Sequence, residues 1–152
     1  MKKLIIQLAT GLGVGRIPRV PGTAGTLMGV ILYLILARVF SSLIYYAIVL
    51  GVLFLVGVWI SGKAEKYLGN KDDQLIVFDE IVAFPLTMFA LPSSFLYILT
   101  GFVLFRVFDI VKPFRIEKIE KLNGGWGIMG DDLAAAILAN VVIQVFRTML
   151  GW

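Results

Sequence analysis

The sequence has 152 residues, enough for one domain, and 59% of them are hydrophobic while only 16% are charged. Soluble domains are about half apolar and about a quarter charged, so the surplus apolar surface here must face lipid. The absence of Cys and His excludes disulfides, thiolate nucleophiles, imidazole bases and the usual zinc ligands. At this hydropathy, the net charge of +4 indicates loops beside anionic lipid and not nucleic-acid binding.

Five apolar runs predict an all-α, polytopic membrane helix bundle of about five helical segments, in a single domain that covers residues 1–152. Each run approaches the ~20 residues that cross the hydrocarbon layer. The runs do not alternate between apolar and polar residues, as the strands of a membrane barrel would. The third and fourth runs are also short enough to form a re-entrant hairpin. The runs cover residues 22–37, 43–60, 74–91, 94–108 and 133–150.

The basic residues predict which side of the membrane each loop occupies. Threading the five runs alternately places eleven of the fourteen Lys and Arg residues on one side. Basic loops stay in the cytoplasm, so this side is predicted to be the cytoplasmic face of the membrane. All ten carboxylates lie in or beside the same stretches. Because the rule for basic loops does not cover acids, their segregation suggests a functional site on that face.

Asp79 and Glu80 interrupt the third apolar run, where an ionised side chain costs ~2.5–3.5 kcal/mol even on a lenient insertion scale. Two adjacent acids at such a cost indicate a functional site near the cytoplasmic end of the third segment. The alternative is that the helix begins at residue 79 or 80. The pair would then be a helix-start signal outside the membrane.

Arg106, Asp109 and Lys112 follow one another at intervals of three residues, on one face of the fourth helix until Pro113 ends it. One interpretation of this spacing is a local ion pair. The other is that Arg106 and Lys112 bind a phosphate while Asp109 faces a metal ion. The spacing alone leaves both interpretations open.

Two glycine-rich stretches lead into predicted helices on the same side. Gly124 and Gly125 precede the fifth helix, and Thr23 and Thr26 accompany glycines at the start of the first. Glycines let backbone amides approach an anion, and a helix start favours negative charge, so these four residues are candidates for binding substrate phosphate. The structural alternatives are a turn between membrane helices, capping by Thr23 and close helix packing at the glycines.

Threading brings five carboxylates to one membrane depth on the cytoplasmic side. Asp131 and Asp132 are predicted to open the fifth helix there. Carboxylates without imidazole or thiol suit a hard cation, and Mg²⁺ is usually held by carboxylates, water and phosphate oxygens. The predicted metal ligands are Asp79, Glu80, Asp131 and Asp132, and Asp109 is the fifth predicted catalytic residue. The expected substrate is a phosphate on a lipid headgroup.

Four sequence blocks occur in order: PRVPGTAGT at residues 18–26, FDE at 78–80, FRVFDIVKP at 105–113 and GGWGIMGDD at 124–132. With these blocks the chain closely resembles the phosphatidylglycerophosphatase A family of bacterial membrane enzymes, from residue 13 to about residue 139. The resemblance implies Mg²⁺-dependent hydrolysis of phosphatidylglycerophosphate to phosphatidylglycerol and inorganic phosphate, at the cytoplasmic membrane.

The chain departs from the family pattern at a few positions. Thr26 stands where the family often has Ser, which keeps the hydroxyl. Arg115 occupies the place of an expected second proline, and Arg16 and Arg19 match no family-wide position. These three arginines are therefore left out of the predicted site.

The predicted chemistry is phosphomonoester hydrolysis in which carboxylates hold Mg²⁺ and Arg106 and Lys112 stabilise the transferred phosphoryl group. Attack by water and attack by an aspartate both remain open, whereas phosphohistidine and phosphocysteine routes are excluded. The alternative function is a small cation transporter, or a transporter subunit, that uses intramembrane carboxylates. That alternative predicts acids spread across the membrane depth, but the outer side has none. The sequence does not indicate an oligomeric state.

Overall fold

The computed structural model describes residues 1–70 and 73–151, apart from the side chain of Leu150. Lys71 and Asp72 are among the basic and acidic residues predicted to lie on the cytoplasmic side. Both lie outside the described residues. Within the described ranges the chain forms helices and no strands, which confirms the predicted all-α fold class. The helices are α1 (Lys2–Ala9), α2 (Pro21–Val39), α3 (Leu43–Leu68), α4 (Phe78–Thr87), α5 (Phe95–Val111), α6 (Glu117–Glu120) and α7 (Gly125–Leu150).

Three of these helices, α2, α3 and α7, are long and apolar enough to cross a membrane. α4 and α5 have 10 and 17 residues, which correspond to lengths of about 15 and 25 Å. Large apolar side chains such as Ile31 on α2, Leu55 on α3 and Val141 on α7 remain exposed, as expected for surfaces that contact lipid. The chain is therefore a membrane protein.

The third predicted segment, residues 74–91, is wrong in its extent, because only Phe78–Thr87 is helical. A turn precedes α4: the Asp73 side chain accepts a hydrogen bond from the backbone N–H of Leu75 at 3.0 Å. The N–H of Val77 then donates to the carbonyl of Ala9 at the end of α1. These bonds hold the start of α4 against the N-terminal helix.

α4 lies at the centre of the bundle and packs closely against α2. A Cβ atom added at Gly29 would lie 2.8 Å from Cβ of Phe84, and one added at Gly25 would lie 2.9 Å from Cβ of Val77. Only glycine permits this approach, so the alternative of close helix packing at the glycines is confirmed. The fully buried Phe84 contacts Phe105 of α5 in an edge-to-face arrangement.

Side chains of α7 donate hydrogen bonds to the irregular backbone after α4. Nδ2 of Asn140 lies 2.9 Å from the carbonyl oxygen of Thr87 and 2.8 Å from that of Phe89. Nη1 of Arg147 donates to the carbonyl of Ala90 at 3.2 Å. Non-helical backbone at membrane depth requires such internal partners because lipid supplies none. α7 therefore supports the chain reversal that joins α4 to α5.

α7 begins at Gly125, eight residues before the predicted start at residue 133. The prediction that Asp131 and Asp132 open this helix is therefore wrong, since both lie in its second turn. The cause is packing against α3: a Cβ atom on Gly125 would lie 2.7 Å from the carbonyl carbon of Val58 and 2.9 Å from the N atom of Gly62. The glycine-rich stretch thus continues as helix instead of forming a turn.

Candidate active site

A cavity of about 490 Å³ gathers most of the predicted site residues at one end of the bundle. It forms where the first turns of α2 and α4 meet the end of α5 and the second turn of α7. Four segments that are far apart in sequence thus contribute to one site. Eight of the eleven predicted residues line the cavity: Thr23, Asp79, Glu80, Arg106, Asp109, Lys112, Asp131 and Asp132.

Three carboxylates converge within this cavity. Asp79, Glu80 and Asp132 each offer an oxygen atom, and these atoms all lie within 4.8 Å of one another. Asp79 and Asp132 are only 8% and 4% exposed, so their charges would repel one another in a poorly solvated place. Three carboxyl groups this close together remain ionised only when a nearby positive charge compensates their negative charges. Its geometry fits a small divalent cation.

Asp79 and Glu80 lie in the first turn of α4, close to where the helix-start alternative placed them. They are nevertheless not solvated surface residues. Oε2 of Glu80 is buried and, among the described residues, has no hydrogen-bond partner; the same holds for Oδ2 of Asp132. Buried acceptors of this kind are costly unless a donor or cation satisfies them. The two orphaned oxygens therefore indicate a ligand at this position.

Arg106 lies beside the carboxylate group. Its Nη1 bonds Oδ2 of Asp109, one turn along α5, and lies 3.7 Å from Oε1 of Glu80 on α4. The local ion pair considered from the sequence is thus present. Nε of Arg106 is buried with no partner in the described part of the chain, so the guanidinium keeps an unused donor.

Lys112 ends α5 in a left-handed conformation, with φ of 47°, which turns its side chain toward α7. Its Nζ lies 2.7 Å from Oδ2 of Asp131 and 2.7 Å from Oε2 of Glu120 on α6. Burial alone would lower the pKa of Lys112, but the hydrogen bonds and charges of the two carboxylates raise it above its ordinary value. The residue therefore remains a cation under physiological conditions. Asp131 thus contacts Lys112 beside the group of three carboxylates.

The start of α2 forms another wall of the cavity. A Cβ atom on Gly22 would lie 3.0 Å from Nη1 of Arg106, so glycine leaves room for the arginine. Thr23 lines the cavity in the first turn of α2, whose N-cap is Val20 without a side-chain cap, so capping by Thr23 is not observed. Thr26 is fully buried, and its hydroxyl donates to the carbonyl of Gly22 at 2.9 Å.

Gly124 and Gly125 are not among the residues that line this cavity. Gly125 packs against α3, as described above, and Gly124 adopts a positive φ of 62° at the start of α7. Gly124 lines a separate surface pocket near Glu65 and Asn70. The structure thus gives both glycines a conformational and packing role. Phosphate binding by them stays a prediction.

Several cavity residues were absent from the sequence-based set. Asp73, Gln74 and Arg19 line the cavity, and Glu120 reaches Lys112 from α6. Arg19 lies within the PRVPGTAGT block but matches no family-wide position, so the resemblance gave no signal for it. Glu120 had no signal either, because the turn that brings α6 back to the end of α5 follows from left-handed residues such as Phe114 and Arg115.

Comparison with known proteins identifies the family of the chain. The sequence profile of phosphatidylglycerophosphatase A matches residues 7–147. The chain belongs to this family. The four blocks that carry the resemblance supply the start of α2, the start of α4, the end of α5 and the start of α7, and these segments form the cavity.

Relatives match almost the whole chain. A phosphatidylglycerophosphatase A from Haemophilus influenzae is 44% identical over 90% of this chain and 84% of its own length. One from Escherichia coli is 34% identical over 87% of this chain and 77% of its own length. A Bacteroides thetaiotaomicron protein, provisionally named a phosphatidylinositol-3-phosphatase, is 36% identical over 97% of this chain and 96% of its own length. No solved structure matches the chain.

Family membership confirms that the protein is an enzyme, a phosphoric monoester hydrolase of the membrane. The predicted resemblance is therefore confirmed, and the transporter alternative has no support in these comparisons.

Proposed function

We propose that this protein hydrolyses phosphatidylglycerophosphate to phosphatidylglycerol and inorganic phosphate, that it requires Mg²⁺, and that it acts at the cytoplasmic face of the membrane. One observation carries the proposal. Three carboxylates that converge within 4.8 Å share a cavity with Arg106 and Lys112, in a chain of the phosphatidylglycerophosphatase A family. An anionic group can approach this cavity only if cations offset the acids. A phosphate with a divalent metal satisfies that requirement.

The donor set fits Mg²⁺. Asp79, Glu80 and Asp132 provide only oxygen ligands, which a hard cation prefers, and two of their buried oxygens lack partners among the described residues. Asp131 is the nearby carboxylate of the predicted set that bonds Lys112 instead. When bound, the metal would neutralise phosphate oxygens and lower the pKa of a coordinated water.

The protein's own residues supply the remaining requirements for phosphoryl transfer. Arg106 and Lys112 place two positive charges around the phosphate, where they stabilise the charge on the transferred group. Both cations already contact carboxylates, which fixes their positions before substrate binds. In the proposed reaction a water oxygen attacks phosphorus and the bond from phosphorus to the glycerol oxygen breaks. The glycerol oxygen leaves as an alcohol, with the proton that the attacking water gives up. A cavity carboxylate accepts the proton of the attacking water.

The substrate proposal comes from the relatives. Two of them are named for phosphatidylglycerophosphate, and the third for phosphatidylinositol 3-phosphate. Both lipids carry a terminal phosphomonoester on a polyol that a phosphodiester joins to diacylglycerol. The recognised unit is therefore a phosphomonoester on a lipid headgroup. The two relatives and the family description that agree on the glycerol lipid make it the preferred substrate.

The experiment measures phosphate release by the purified protein from phosphatidylglycerophosphate in detergent micelles, with Mg²⁺ and then with a chelator. We expect release with Mg²⁺, its loss in chelator and its return when Mg²⁺ is restored. Asp132→Asn should reduce turnover by about 100-fold or more, because it removes a charged ligand from the proposed metal site. Glu117→Gln, at an exposed position of α6, is the matched control and should behave like the wild type.

Three outcomes would contradict the proposal. Full activity in chelator would exclude the metal requirement. Wild-type turnover by a folded Asp132→Asn protein would show that the catalytic site lies elsewhere. Release from phosphatidylinositol 3-phosphate but not from phosphatidylglycerophosphate would reassign the substrate to that of the Bacteroides relative.

A further inference from the structure

The residues that line the cavity differ in exposure, and one basic residue is more exposed than the acids. Asp131 and Asp132 are 6% and 4% exposed and form the inner end. The side chains of Arg106 and Lys112 follow with 17% and 24% exposure. Arg19 also lines the cavity but is an exposed residue, so it lies at the mouth. The positive charge thus extends from the catalytic end to the opening.

Arg19 differs from the other cavity cations in its partners. Arg106 and Lys112 each bond a carboxylate, whereas Arg19 makes no salt bridge or hydrogen bond with any residue that the structure describes. Asp73, an acid that also lines the cavity, is held locally, since its two carboxylate oxygens accept hydrogen bonds from Asn70 and from the backbone N–H of Leu75. The guanidinium of Arg19 is therefore available to a ligand at the mouth.

The backbone at Arg19 is unusual for a residue with a side chain. Its φ is 72°, in the left-handed region that favours glycine, and Pro18 and Pro21 restrict the chain on both sides. Such a conformation fixes the direction in which the side chain leaves the backbone. Strain of this kind is retained where the surrounding structure or a function requires it.

We propose that Arg19 binds a second phosphate of the substrate, the phosphodiester that links the headgroup to diacylglycerol. This inference rests on the proposed function. The terminal phosphate of the lipid enters the acidic end with its metal, and the glycerol bridge then places the phosphodiester toward the mouth. An arginine fork matches phosphate oxygens there. Arg19 thereby favours lipids that carry both a terminal phosphate and a phosphodiester over compounds that have a single phosphate.

The test separates the two phosphate positions by comparing Arg19→Gln with the wild type in mixed micelles at low salt. We measure KM and kcat for phosphatidylglycerophosphate, and the Ki of inorganic phosphate, which fills only the catalytic end. The expected result is a rise in KM of about fivefold, in line with an exposed charge pair, while kcat and Ki stay unchanged. Added salt should shrink the difference between the two proteins, because it screens exposed charges.

Two further variants sharpen the test. Arg19→Lys keeps the charge and should recover part of the affinity. Arg16→Gln removes another exposed arginine, which lines a different surface pocket beside Lys2 and Lys3, and should leave KM unchanged.

Each contrary result has a distinct meaning. An unchanged KM in Arg19→Gln would overturn the inference while the proposed function stands. An equal rise in KM and Ki would show that Arg19 acts on the catalytic end or on folding, and would also overturn it. Failure of the wild type to hydrolyse phosphatidylglycerophosphate would remove the proposed function, and this inference with it.

Discussion

Nζ of Lys112 lies 2.7 Å from Oδ2 of Asp131, a bond that joins the end of α5 to the second turn of α7. The two residues are 19 positions apart, with α6 between them. Lys112 flanks the buried carboxylates together with Arg106, and its contact with Glu120 holds it from a second side. Its position is therefore set before any phosphate arrives.

Replacing Lys112 tests whether this preset charge serves the reaction. Lys112→Gln should lower kcat/KM for the lipid by about 10- to 100-fold, the usual effect of losing a hydrogen bond to a charged group. Lys121→Gln is the control, because Lys121 is exposed in the same connection and does not line the cavity. Steady-state kinetics in micelles measure both. Equal activity of the two variants would show that the bond between Lys112 and Asp131 serves the structure and not the reaction.

The helical fold and the chemical character of the site were accessible from the sequence. Runs of apolar residues predict lipid-facing helices because hydrocarbon requires continuous apolar surface. Asp79 and Glu80 were conspicuous for the opposite reason, since acids inside such a run are costly. The predicted threading placed the four blocks at one end of the bundle, as the structure does.

The start of α7 and the role of its glycines were not accessible from the sequence. Gly124 and Gly125 match a phosphate-binding loop and a helix-packing site equally well, and the packing of Gly125 against Val58 of α3 is visible only in the structure. The position at which α4 ends could not be predicted from the sequence, for a related reason. Its early termination depends on donors such as Asn140, 53 residues away from Thr87 along the chain. Tertiary partners of this kind leave no local pattern.

Close packing between α2 and α4 should be essential for the position of Glu80. A Cβ atom at Gly29 would lie 3.0 Å from the backbone oxygen of Glu80 and 2.8 Å from Cβ of Phe84. Gly29→Ala should therefore lower the free energy of unfolding by about 1–3 kcal/mol, as overpacked cores do. It should also reduce activity, because α4 carries two of the three converging carboxylates.

Gly51→Ala is the matched control for that change. Gly51 is also a helical glycine, on α3, but nothing lies within 4 Å of an added Cβ atom there. The substitution should be neutral or stabilising by up to about 1 kcal/mol, since alanine favours helix. Thermal unfolding in detergent compares the two proteins. Equal melting temperatures for both variants would contradict the tight α2–α4 contact.

The side of the membrane that holds the site can be tested by cysteine labelling, since the chain has no native Cys. Ser41→Cys lies in the short connection between α2 and α3, and Lys118→Cys lies on exposed α6 near the cavity. A membrane-impermeant maleimide applied to intact spheroplasts should label residue 41 at once and residue 118 only after permeabilisation. The expectation follows from the basic residues that surround α6, which favour the cytoplasm. Labelling in the reverse order would place the carboxylates on the outer face and contradict cytoplasmic hydrolysis.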